Sequence, residues 1–124
     1  MRLLLDANAF LWWRAGSRRL PIRVGDVICA PANDIVVSIV TFWEIAIKQS
    51  LGKLGFQEDF EAVMIDEDFD LLPISYRDLK ALQALPLHHR DPFDRLLIAQ
   101  ALAEGIPIAT NDPAFAAYGV QIVW

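Results

Sequence analysis

The sequence predicts an α/β fold in which a central, mostly parallel sheet of four to five strands is covered by helices on both faces. Three observations carry this expectation. Short apolar runs alternate with longer helix-like segments, and the connections between them are short. The 124 residues are also 55% hydrophobic, which suits one compact domain over 1–124 and leaves no room for a second.

Taken in order, residues 2–5 read as a short buried strand, and Asn8 to Arg14 as a helix stopped near Gly16. Ser17 to Ala32 includes a helical piece but is interrupted by Pro21 and Gly25. Ile35 to Ile39 is β-branched and fits a second buried strand. Thr41 to Leu51 reads as a helix closed by Gly52, with Phe42, Ile45 and Ala46 facing the core. A helix from about Glu58 to Asp66 leads to a strand at Asp70 to Pro73. Ser75 to Leu85 is amphipathic, with Leu79, Leu82 and Leu85 at helical spacing and Ser75 and Asp78 as a capping pair. After a loop at Leu87 to Arg90, Pro92 to Glu104 is the clearest helix, ended by Gly105. Ile106 to Ala109 is a strand, Pro113 to Tyr118 a short helix, and Gln121 to Val123 a last strand.

The net charge of −5 does not fit a protein that grips nucleic acid by bulk electrostatics. Its distribution is uneven. Residues 1–53 hold seven Lys or Arg against four acids, a balance of +3, and the rest of the chain carries −8. Seven of those negative charges lie between Glu58 and Asp70, which reads as a solvated helix face and turn, so a polyanion can still approach elsewhere. One cysteine, Cys29, read as a small apolar helix residue, excludes an intramolecular disulfide, and no His/Cys spacing resembles a zinc site. Met1-Arg2 leads straight into a strand with no signal-peptide pattern, and no apolar run is long enough to span a bilayer, so a cytoplasmic location is expected and no membrane partner.

Four carboxylates sit where apolar runs give way to helices: Asp6, Glu44, Asp94 and Asp112. In a parallel sheet such junctions meet on one edge, and acids gathered there repel unless a cation lies between them. Mg²⁺ or Mn²⁺, which prefer oxygen ligands, fits that role. Each acid also has a local alternative. Asp6 and Asp112 can cap the helices that follow them, and Thr41-Phe42-Trp43-Glu44 matches a capping box. Asp94 is different, because Asp91 as N-cap and Pro92 at the first helical position already satisfy that helix start. It heads the stripe Leu97, Ile98, Ala101 and Leu102, and an inward carboxylate is costly unless it is metal-bound or paired, here with Arg90 or Arg14.

Other candidates are His88-His89, read as a solvent-exposed loop pair, and Arg14, Lys48, Arg90 and Arg95, cations near the acids in sequence that can meet phosphate oxygens. Of Trp12 and Trp13, one is expected in the core and the other near the surface, while Trp43 and Trp124 read as core or interface.

Four segments resemble a PIN domain of the VapC kind, the ribonuclease toxin of prokaryotic toxin–antitoxin pairs. They are Leu4-Leu5-Asp6-Ala7-Asn8, Ser38 through Trp43-Glu44 to Lys48, His89-Arg90-Asp91-Pro92-Phe93-Asp94-Arg95 through Ala101, and Thr110-Asn111-Asp112. The resemblance implies a three-layer α/β/α PIN-like domain in which Asp6, Glu44 and Asp94 ligate Mg²⁺ or Mn²⁺ and Asp112 completes the catalytic site as an outer or second-metal ligand. Asn8 and Thr110 would support these ligands by hydrogen bonds. It further implies hydrolysis of phosphodiesters in single-stranded or loop RNA, a homodimer, and a cognate antitoxin that covers the acidic groove. Ala7 departs from the pattern, since the family often has Thr there.

Receiver domains and haloacid-dehalogenase-type phosphatases also place acids at strand ends, but both need a late lysine, and the last here is Lys80. A non-catalytic PIN-like module that binds RNA or protein is the remaining alternative.

Overall fold

The structure, a computed structural model, describes residues 1–124. Strands β1 (Arg2–Leu5), β2 (Asp34–Ser38), β3 (Asp70–Leu72), β4 (Ile108–Ala109) and β5 (Ile122–Val123) form one sheet in the order β3-β2-β1-β4-β5. Every pairing is parallel, with Leu4 opposite both Val36 and Ile108. The helices are α1 (Ala7–Ala15), α2 (Ile22–Cys29), α3 (Ile39–Ser50), α4 (Phe60–Glu67), α5 (Tyr76–Ala84) and α6 (Pro92–Glu104), with a 3₁₀ turn over Pro113–Tyr118.

Side chains alternate across a strand, so a central strand buried on both faces must be apolar at every position. Leu3, Leu4 and Leu5 are all fully buried. Leu3 and Leu5 join Phe10, Val24, Ile28, Phe42, Ile45 and Val63 in one core. Leu4 joins Val36, Leu96, Leu97, Ile98, Ile108 and Phe115 in a second core on the opposite face. Two cores on two faces of one sheet give the three-layer arrangement expected. No helix is long and apolar enough to cross a membrane.

Two local readings change. The uncertain stretch after Gly16 resolves into α2, which starts directly after Pro21 and carries Cys29 exposed on its last turn. The cap of α3 also lies three residues earlier than expected, at Ser38 rather than Thr41. Ser38 ends β2 and caps α3, its hydroxyl accepting the Val40 N–H at 3.0 Å. Thr41 is therefore inside the helix, buried with its Oγ1 unpartnered, and the Thr41–Glu44 capping box does not form.

Ser38 also donates to Gln100 Oε1 at 2.5 Å, while the Gln100 amide donates to the Pro73 carbonyl and to Asp78 Oδ2, both at 3.2 Å. Gln100 is fully buried in α6, so this network ties α6 to the ends of β2 and β3. It fixes where the N-terminus of α6, and hence Asp94, lies over the sheet.

Candidate metal centre

From β1 the chain builds outward through β2 to β3, and β4 then lies on the other side of β1. That reversal opens a crevice at the carboxyl ends of β1 and β4, where ligands of open α/β sheets bind. A cleft of about 190 Å³ lies there, lined by Asp6, Ala7, Asn8, Glu44, Lys48, Asp91, Asp94, Asn111, Asp112 and Phe115. The four acids picked out from the sequence thus share one cleft, with Asn8 among them.

Each acid is held by its own element. Asp6 follows β1 and caps α1, Oδ1 accepting the Ala9 N–H at 2.8 Å. Asp112 caps the 3₁₀ turn through the Ala114 N–H at 2.9 Å, and donates its own N–H to Thr110 Oγ1 at 3.1 Å. Asp91 caps α6 by accepting the Asp94 N–H at 3.0 Å, which leaves the Asp94 carboxylate free of capping. Glu44 projects from the middle of α3, where no cap can use it. Lys48, one turn on, sits 2.7 Å from Glu44 Oε2. The other oxygen, Oε1, is buried without a partner.

Burial and crowding make Asp6 and Asp94 expensive to ionise. Burial raises the Asp6 carboxyl to about 6, with the charges of Glu44 and Asp112 adding to the effect and the Thr110 hydroxyl and Ala9 amide opposing it. Asp94 is also raised, chiefly by burial and then by Asp91, Glu44 and Asp6, with His89 pulling the other way. Lys48 is raised in turn by its hydrogen bond to Glu44.

Three sequence readings need correction. His89 is not a solvent-exposed partner of His88: its Nε2 lies 2.9 Å from Asp94 Oδ2 and 3.1 Å from Asp112 Oδ2. The two side chains diverge because His88 stays exposed, stacked edge-on with Tyr118, while His89 turns inward toward Phe115. Arg14 does not serve the cleft. Its guanidinium is taken up by Glu58, Asp66 and Glu67 at 2.8, 2.5 and 2.7 Å, which pulls Glu58 below its ordinary range and gives part of the acidic run a local partner. Arg95 is spent on the Pro86 and His89 carbonyls and the Tyr118 hydroxyl. Of the four cations, Lys48 lines the cleft and Arg90 is exposed without an ion pair. Asp94 pairs with neither Arg90 nor Arg14.

The site fits a hard divalent cation. It offers carboxylates from four separate elements, a buried glutamate oxygen with no partner, and two acids, Asp6 and Asp94, whose ionisation a nearby positive charge would favour. His89, Asp94 and Asp112 also bring ligand-type atoms within 4.8 Å of one another. Sequence reasoning missed His89 and gave Asp91 only a capping role, although both stand just before Asp94 and the start of α6 brings them with it.

A five-stranded parallel sheet with an acidic crevice at its switch point defines an α/β domain with a candidate divalent-cation site. The PIN domain model matches residues 3–121, and the chain belongs to the PIN domain family. No curated protein matches it. Among solved structures, it is similar to VapBC2 from Rickettsia felis bound to a DNA fragment from their promoter, with TM-score 0.70 and 16% identity over 99% of this chain and 98% of that one. It is also similar to a toxin–antitoxin complex from Klebsiella pneumoniae, with TM-score 0.66 and 18% identity over 98% and 96% of the two chains. A third likeness is to FitAcB from Neisseria gonorrhoeae, with TM-score 0.65 and 17% identity over 98% and 96%. At these identities the likeness is one of fold.

Proposed function

We propose that this PIN domain is a metal-dependent endoribonuclease, the toxin of a toxin–antitoxin pair, cutting RNA in single-stranded or loop regions such as those of transfer or ribosomal RNA. The observation that carries the reading is the cleft itself, in which Asp6, Glu44, Asp94 and Asp112 face one another and Glu44 Oε1 is buried unpartnered. Family membership and the toxin–antitoxin neighbours support the same reading.

Asp6, Glu44 and Asp94 would hold Mg²⁺ or Mn²⁺, with Asp112 completing the acidic wall. Such an ion, when bound, supplies positive charge for polarising the scissile phosphate and offsetting negative charge that develops on its oxygens. Thr110 orients Asp6 and Asp112 through its hydroxyl, while Asn8, exposed at the cleft, makes no side-chain hydrogen bond to an acid. Lys48 at the wall and Arg90 on the surface are the cations placed to meet phosphate oxygens of the strand.

A cognate antitoxin and a second copy of the chain are the protein partners in this reading. Trp43, half exposed and packed edge-on against Phe93, and an apolar hollow lined by Ile39, Phe42, Phe60, Met64, Ile65 and Leu71 support protein contacts outside the cleft.

The test is incubation of purified, antitoxin-free protein with total cellular RNA in Mg²⁺, in Mn²⁺ and in chelator, with Asp6→Asn as the contamination control. Discrete fragments from the intact protein with metal alone would establish the nuclease, and mapping their ends would identify the RNA. Folded protein that binds RNA equally well with its acids neutralised, and never cuts, would instead be a binding module.

A further inference from the structure

We infer that His89 is a positioning residue for the metal-binding carboxylates: it grips Asp94 by one oxygen, and Asp112 serves the site by anchoring His89 rather than by touching the metal. The inference rests on the metal site of the proposed nuclease.

The argument begins with the ring's hydrogen bonds. His89 Nδ1 accepts the backbone N–H of Asp91 at 3.3 Å. A nitrogen that accepts an N–H carries no proton of its own, so in the neutral ring the proton lies on Nε2. Nε2–H then points at two acceptors, Asp94 Oδ2 at 2.9 Å and Asp112 Oδ2 at 3.1 Å. This tautomer is a donor toward the cleft and has no Nε2 lone pair for a metal.

The ring is also held from behind. The His89 N–H donates to the Tyr118 hydroxyl at 2.7 Å, its carbonyl accepts from Arg95 at 3.3 Å, and Phe115 meets it edge-on. The donor is therefore fixed relative to the 3₁₀ turn, and through the Asp91 N–H it is fixed relative to the start of α6.

The free oxygens then sort the acids. Asp94 gives Oδ2 to His89, and its Oδ1 makes no hydrogen bond. Asp112 gives Oδ2 to His89 and Oδ1 to the Ala114 N–H, and with its side chain 35% exposed it is the outermost of the four acids. Glu44 leaves Oε1 open. Open oxygens on Glu44 and Asp94, with Asp6 buried beside them rather than at the rim, make the ligand set. Without the His89 donor, Asp94 and Asp112 would be two carboxylates in one cleft with nothing between them, and would move apart. Outer hydrogen-bond partners of metal ligands typically change metal affinity 10- to 100-fold.

The experiment is calorimetric titration of Mn²⁺ into the wild-type protein and into His89→Ala, His89→Gln, Asp112→Asn and Asp94→Asn, with melting curves to establish that each is folded. His89→Ala should weaken Mn²⁺ binding by about ten-fold or more. His89→Gln, whose amide restores an N–H donor, should recover most of that loss, which a simple packing role would not. Asp112→Asn should bind within a few-fold of wild type and Asp94→Asn should not bind. Tighter binding by His89→Ala would make His89 a competitor of the metal and overturn the proposal. Loss of binding in Asp112→Asn equal to that in Asp94→Asn would make Asp112 a direct ligand and overturn it too. Absence of Mn²⁺ binding by the wild-type protein would sink this proposal and the metal site together. Intact binding in the expected order with no RNA cleavage would leave His89 as assigned and count against the nuclease alone.

Discussion

Lys48 Nζ lies 2.7 Å from Glu44 Oε2, one turn along α3, while Glu44 Oε1 stays buried and unpartnered. One carboxylate is thus divided between a flexible cation at the rim and an open position inside the cleft. Because the Lys48 side chain is about half exposed, the pair adds little to stability. Its effect falls on the site. Lys48→Met should leave the melting temperature within a few degrees, tighten Mn²⁺ binding by releasing Glu44, and weaken binding of an RNA oligonucleotide to a cleavage-dead background. Unchanged affinity for both ligands would place Lys48 outside the site.

Asp6→Asn separates stability from function. Asn caps a helix about as well as Asp, so the bond to the Ala9 N–H survives. The burial cost of the charge does not. The folded carboxyl, near 6, lies well above the ordinary carboxylate value of 3.8, a difference of about 3 kcal/mol against the ionised fold. In the presence of chelator, urea denaturation at pH 8 should find Asp6→Asn more stable than wild type by up to about that amount, with RNA cleavage abolished. A variant no more stable at pH 8 than wild type would mean that the Asp6 charge is already compensated in the metal-free fold.

The same shift sets a pH window. A carboxyl raised on folding contributes stability that is full below its unfolded value and is lost as pH rises through the folded one. Metal-free wild type should therefore lose stability between about pH 4 and pH 7 as Asp6 and Asp94 ionise. Mn²⁺ binds the ionised acids, so the rise in melting temperature on adding it should be large at pH 8 and nearly absent at pH 5. Equal Mn²⁺ stabilisation at both values would show that these acids do not hold the metal.

Asp91→Ala removes the cap of α6 and should cost on the order of 1 kcal/mol, read by denaturant melting. Its Asp94 N–H bond is the structural task; a selective loss of cleavage at unchanged stability would instead make Asp91, which also lines the cleft, part of the metal site.

Gln100→Leu replaces the centre of the network joining Ser38, Pro73 and Asp78. Asp78 is buried, its Oδ1 already lacks a partner and its Oδ2 would keep only the Ser75 N–H, so stripping the Gln100 donor should cost about 1 to 3 kcal/mol. Cleavage per folded molecule should fall as well, because α6 would no longer be held against β2.

The sequence by itself determined the elements whose signals are local. The three leucines of β1, the Asp91-Pro92 start and Gly105 stop of α6, and the Ser75–Asp78 box were legible because hydrophobic period, caps and helix stops act over a few residues. Asp94 was legible for the same reason, as an acid left over once its helix had a cap. What the sequence left undecided was everything that depends on which segments meet. The sequence pointed to Thr41 as the cap, but α3 is capped by Ser38 because β2 delivers that residue to the sheet edge. Glu44 is therefore freed from capping and turned into the cleft. Arg14 and the acids at Glu58, Asp66 and Glu67 find one another across more than 40 positions, which spacing cannot disclose. His89 changes from an exposed loop histidine into the donor between Asp94 and Asp112 only because the sheet order sets β4 beside β1 and α6 across both, so that two acids 18 positions apart close on one imidazole.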